Sequence, residues 1–195
     1  NARVRLIKDG IDKSGAVVYW MSRDQRANDN WALLYAQKIA LEKNEPLVVI
    51  FSLVNRFLNA GHRQFDFLLK GLKETELELT KKNISFKFQK GLPYEKVPKY
   101  INKISASVLV TDFDPIKIKQ EWKEKIASVI DIPFYEVDAH NIIPVWVASN
   151  KQEFGAYTIR PKIKKLLPDY LTDIPDVVID PFIFENDDES TDWEK

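Results

Sequence analysis

The chain predicts an α/β fold with a doubly wound parallel sheet of five strands and helices on both faces. Three observations carry that expectation. Five short apolar, β-branched or aromatic runs recur at 16–21, 47–53, 84–89, 108–111 and 133–137. Segments with apolar residues at three- and four-residue spacing separate them. The first run breaks into a polar turn and then opens a helix, which is the first half of a βαβ unit. The whole reads as a Rossmann-like sheet.

The elements follow in order. After Val17-Val18-Tyr19-Trp20-Met21 the turn carries both signs of charge, and a helix is expected from near Asp29, where Asn28 to Asn30 offer capping oxygens, to about Lys43. Its stripe is Trp31, Leu34, Tyr35 and Ile39. A second helix over 62–82 repeats Phe65, Leu68, Leu69, Leu72 and Leu79, with Lys and Glu opposite. Shorter helices are expected at 94–104, with Pro93 near the start, and at 116–129, entered after Pro115. Right-handed crossovers favour the strand order 3-2-1-4-5. First and fourth strands are then neighbours, and their outgoing loops, 22–30 and 111–115, face one crevice.

Composition bounds the function. With 195 residues, 45% hydrophobic and 12% aromatic, the chain can bury one good core. Lys plus Arg and Asp plus Glu both number 29, so any nucleic-acid contact must come from a local patch rather than from net charge. The absence of cysteine removes disulfides, thiolate catalysis and cysteine-type zinc sites. No apolar run approaches the roughly 20 residues of a membrane span, so a cytoplasmic protein without membrane contact is expected. Neither a dinucleotide-binding glycine fingerprint nor a P-loop occurs, and there are only 6 glycines. The two histidines, His62 and His140, lie far apart in sequence and read as capping or packing residues. No catalytic residue and no metal site are assigned.

The crevice would gather Arg23, Asp24 and Arg26 with Asp112 and Asp114, a set able to bind a planar, hydrogen-bonding ligand. Alternatively Arg23 and Asp112 pair with each other and Asp114 caps the helix after Pro115. Beyond the fifth run, Asp138, His140 and Asn141 form a polar knot, and 142–147 either packs back on its own sheet or docks another domain. Arg160, Lys162, Lys164 and Lys165 form a basic cluster that reads as a solvated face, a contact to a second domain or a DNA contact. Trp20, Trp31, Trp122 and Trp146 read as core or interface residues.

Several of these stretches carry a resemblance. Tyr19-Trp20-Met21-Ser22-Arg23-Asp24-Gln25-Arg26, then Asp29-Asn30-Trp31-Ala32-Leu33, then Thr111-Asp112-Phe113-Asp114-Pro115, and 137–149 with 158–163 together resemble the DNA photolyase and cryptochrome family. The wording is most similar to class II cyclobutane pyrimidine dimer photolyases, from about Val17 to Lys165. The resemblance implies the amino-terminal light-harvesting antenna domain of a deoxyribodipyrimidine photo-lyase. Members with a deazaflavin antenna bind it partly through an Arg-Asp loop and an Asp-x-acid-Pro loop, the positions of Arg23, Asp24, Asp112 and Asp114, so an 8-hydroxydeazaflavin antenna is expected there. FAD would belong to a C-terminal helical domain of the full-length protein, which would act on UV-damaged DNA, and this chain alone would be inactive. The layout expected is an N-terminal extension at 1–14, the α/β domain at 15–138, a segment packing on the sheet or a further domain at 139–180, and an acidic linker at 181–195. A cryptochrome-like photoreceptor domain and a stand-alone nucleotide- or flavin-binding domain are the alternatives.

Overall fold

The computed structural model describes residues 1–185 and Trp193; most of the expected acidic linker, at 186–192, 194 and 195, lies outside the described residues. The sheet is built from β1 (Val4–Lys8), β2 (Val17–Trp20), β3 (Leu47–Leu53), β4 (Ser85–Lys90), β5 (Val108–Asp112) and β6 (Phe134–Val137), in the order β1-β6-β5-β2-β3-β4. β2 to β6 are mutually parallel, whereas β1 is antiparallel to β6. The sheet therefore has six strands rather than five and is mixed rather than purely parallel, a correction to the expected count and order. The five parallel strands among themselves keep the arrangement 3-2-1-4-5.

The sixth strand escaped the sequence because Val4-Arg5-Leu6-Ile7-Lys8 has the charged, half-exposed composition of an edge strand. It lies in the 1–14 stretch read as an extension. It pairs Val4 with Val137, Arg5 with Glu136 and Leu6 with Tyr135. The Arg5 guanidinium meets the fully buried Glu136 carboxylate at 2.5 Å, and Lys123 ion-pairs with the other oxygen of the same group. Arg3 stacks on Trp31, with its guanidinium carbon 4.7 Å from the ring centroid, and donates to the carbonyls of Asn141 and Ile142.

Two cores cover the two faces. Period-two alternation along β2 sends Val17 and Tyr19 to one and Val18 and Trp20 to the other. α1 (Trp31–Lys43) and α2 (His62–Thr80) cover the first with Leu33, Ala36, Leu72 and Leu79. α3 (Pro93–Lys103) and α4 (Lys117–Val129) cover the second with Val97, Ile101, Trp122 and Ile126. α1 begins two residues after the expected Asp29, because Asp29 adopts a left-handed backbone (φ 50°) and Asn30 caps the helix, its Oδ1 accepting from the amides of Ala32 and Leu33. α2 ends at Thr80 rather than Lys82.

After β6 come α5 (Val145–Ala148) and α6 (Ala156–Tyr170), the second of which carries the basic cluster of Arg160, Lys162, Lys164 and Lys165. α6 buries none of its residues, and Ile142, Val145, Phe154 and Tyr157 are exposed nearby in sequence. The chain then crosses back, with Val177 buried in the first core and Asp180 N–H donating to the Lys82 carbonyl at 2.8 Å. Among the described residues no helix is long and apolar enough to cross a membrane, and no group of three or more His, Asp or Glu residues is placed to hold a metal ion.

Candidate functional site

The site grows from the parallel pairing of β2 and β5. Trp20 lies opposite Thr111, so the residues leaving β2 pass directly over Asp112 at the end of β5. The Asp112 carboxylate is buried and collects that turn. Its Oδ1 accepts from Arg23 N–H at 2.9 Å, and its Oδ2 accepts from Ser22 N–H and Asp24 N–H at 3.1 Å and from the Tyr19 hydroxyl at 2.9 Å. Three successive amides converging on one anion form a backbone nest, here filled by the protein's own side chain.

Electrostatics follow from burial. Desolvation raises the Asp112 carboxyl above its ordinary range, the charge of Asp24 adds to the rise, and the bonds from Ser22, Arg23 and Asp24 oppose it. Tyr19, fully buried beside that carboxylate, is held well above the usual phenol range, again chiefly by desolvation. Asn30 closes the network from α1, donating to the Tyr19 hydroxyl at 3.1 Å and to the Asp24 carbonyl at 2.9 Å.

The other candidates flank this knot. Asp114 Oδ1 accepts from Ile116 N–H at 3.0 Å and so turns the chain just ahead of α4, but no side chain caps the helix itself, so the capping role weighed for Asp114 is not the one it takes. Asp24 is buried, with Oδ1 3.3 Å from both Arg26 Nη2 and His140 Nδ1, while its Oδ2 has no hydrogen-bond partner. Arg23 is half-buried and reaches the Phe113 carbonyl at 3.5 Å. All four expected residues are thus brought to one end of the sheet.

Outside the carboxyl ends of β2, β3 and β5 lies a cavity of about 300 Å³. Arg23 and Asp114 line it, whereas Asp24 and Asp112 stand behind its wall and shape the loop that does. Most of the wall is apolar: Phe51 and Leu53 from β3, Phe57 from the loop after it, Phe65 and Leu68 from α2, and Trp122 from α4. Sequence reasoning placed these side chains in the core or passed over them. Residue type carried no signal that could separate them, since Phe65 and Leu68 continue the same apolar stripe as the buried Leu72 and Leu79. Lys119 on α4 also lines the cavity and was not singled out.

The sheet is that of a Rossmann-like α/β domain, and its middle strands end at a largely apolar cavity with a few convergent polar groups, the position at which open α/β folds bind ligands. The comparisons with known proteins narrow this. The family profile for DNA photolyase matches residues 17–179. Two similar proteins are deoxyribodipyrimidine photo-lyases. That of Potorous tridactylus is 45% identical over 196 residues, covering 98% of this chain and 37% of the relative. That of Arabidopsis thaliana is 43% identical over 180 residues, covering 89% of this chain and 36% of the relative. The chain belongs to the DNA photolyase family, and it spans little more than a third of the length of these relatives. In fold it is similar to a crystallised cryptochrome from Synechocystis sp. PCC6803, with a TM-score of 0.69 at 14% identity over 89% of this chain and 38% of the other.

Proposed function

We propose that this chain is the light-harvesting antenna domain of a class II deoxyribodipyrimidine photo-lyase, and that its cavity holds a flat chromophore of the 8-hydroxydeazaflavin type. The observation that carries this is the cavity itself: its walls are largely aromatic and aliphatic, and the two loops expected to bind the ligand both line it. The residues present fit such a group. Phe51, Phe57, Phe65 and Trp122 would hold the ring system, and Arg23 and Asp114 its polar edge. Asp112 and Asp24 would position the β2 loop without touching the ligand. An antenna absorbs light and passes on energy, so the site needs a fixed, dry geometry and no acid, base or nucleophile.

In the full-length cytoplasmic protein, FAD would sit in a C-terminal helical domain that acts on cyclobutane dimers in UV-damaged DNA, and this chain alone would not repair them. The exposed apolar groups Ile142, Val145, Phe154 and Tyr157 suit packing against that domain better than contact with DNA. A cryptochrome-like photoreceptor shares all these features except the reaction. The test is a fluorescence titration with 8-hydroxydeazaflavin. Arg23→Ala and Asp114→Ala are each expected to weaken binding about tenfold, the worth of one good polar contact. Unchanged affinity in both variants removes the two loops from the site, and no binding by the wild type removes the antenna.

A further inference from the structure

Resting on the antenna reading, we propose that the cavity selects a chromophore bearing a negative charge at one edge of its aromatic plane, and that Lys119 is the residue that recognises this charge. Lys119 projects from α4 into the cavity wall. Its Nζ donates to Ser22 Oγ at 2.8 Å and lies 5.2 Å from the ring centroid of Phe57 and 5.1 Å from that of Trp122, both wall residues. An ammonium has three donors, and the hydroxyl takes one.

Among the described residues Lys119 forms no ion pair. The contrast with the next lysine on the same helix face is instructive, since Lys123 is paired with the buried carboxylate of Glu136. Asp114, on the same wall as Lys119, already gives Oδ1 to the Ile116 amide. Asp112 is surrounded by its four donors. Burial depresses the Lys119 pKa, and the charges of Asp112 and Asp114 only partly oppose that. A half-buried cation against two aromatic faces gains most from an anionic oxygen brought in by the ligand. Arg23 supplies a second positive group to the same cavity, and Ser52, also in the wall, has a buried hydroxyl oxygen with no hydrogen-bond partner. The polar provision is thus weighted towards an anion.

Two probes of similar tricyclic outline separate charge from shape: 8-hydroxydeazaflavin, whose ring hydroxyl ionises, and riboflavin, which carries methyl groups and no hydroxyl on that ring and stays uncharged at neutral pH. The wild type is expected to bind the first at least tenfold more tightly, Lys119→Met to lose that preference while keeping its riboflavin affinity, and Lys119→Arg to retain it. A spectroscopic signature accompanies this: in the wild type the bound hydroxyl ionises at lower pH than the free compound, and in Lys119→Met the shift disappears. Binding of both probes without preference, or an equal loss of both in Lys119→Met at unchanged thermal stability, overturns the role of Lys119 and leaves the antenna reading standing. Binding of neither probe by the wild type overturns both.

Discussion

Replacing Asp112 by alanine tests the architecture of the site most directly. Four buried donors lose their acceptor at once: the amides of Ser22, Arg23 and Asp24 and the hydroxyl of Tyr19. Each buried donor left unpaired costs about 1–3 kcal/mol. Against this stands relief from burying a carboxylate, whose raised pKa records that the site disfavours the charge. The balance resembles breaking a buried polar cluster from one side, about 3–5 kcal/mol, which for a chain of this size lowers the melting temperature by about 6–20 °C. Asp112→Asn keeps the shape but turns an NH2 group towards at least one donor, for a loss of about 2 kcal/mol. Because the folded carboxyl titrates above its unfolded range, its contribution to stability is fully present below about pH 4 and is lost as pH rises through the folded value. The gap between wild type and Asp112→Ala is therefore widest in acid. Urea unfolding followed by circular dichroism measures the loss, and amide exchange at Ser22, Arg23 and Asp24 localises it. A loss below about 1 kcal/mol, or unchanged exchange at those three amides, refutes the account of Asp112 as the pin of the turn.

The other predictions concern the scaffold. Glu136→Ala leaves Lys123 buried without its partner and is expected to cost about 3–5 kcal/mol, whereas the double variant Lys123→Met, Glu136→Leu recovers most of that, measured as a double-mutant cycle in urea. Asn30→Ala removes the α1 cap and the donor to Tyr19 together and is expected to cost about 2–3 kcal/mol, while Asn30→Asp retains the cap but turns a buried carboxylate oxygen towards the Asp24 and Arg26 carbonyls and is expected to cost at least as much, both read from urea unfolding. Hydrogen bonds from Lys162, Ser149 and Thr158 hold Glu153 down to about 2. Its contribution is present above about pH 4.3 and fades as pH falls through that folded value. Thermal melts of Glu153→Gln should accordingly differ from the wild type at neutral pH and converge with it near pH 2.

Much of this was legible in the sequence, for physical reasons. The β2 and β3 runs are apolar on both faces because helices cover both, and that pattern survives without context. Adjacency of the first and fourth parallel strands follows from handedness, so the meeting of Arg23 with Asp112 could be anticipated. What could not be read was which atoms meet. Asp112 binds main-chain amides rather than the Arg23 guanidinium, and a backbone donor leaves no trace in residue type. The cavity wall was obscure because Phe57, Phe65 and Trp122 have the same composition whether they fill a core or line a void. β1 and α6 were obscure because neither owes its place to a fully apolar face. One is a charged edge strand, the other a helix with no buried residue.

The first eight residues do more than lengthen the sheet. Lys8 Nζ donates to the carbonyls of Ala127 and Ile130 at the end of α4, Arg5 neutralises Glu136, and Arg3 ties the turn after β6 to the face of Trp31. A version trimmed to start at Ala16, where the first parallel strand begins, would bare the backbone of β6 to other molecules and strip half the counter-charge from an interior carboxylate. Such a truncation is expected to aggregate, and any minimal form of this domain must keep its opening strand.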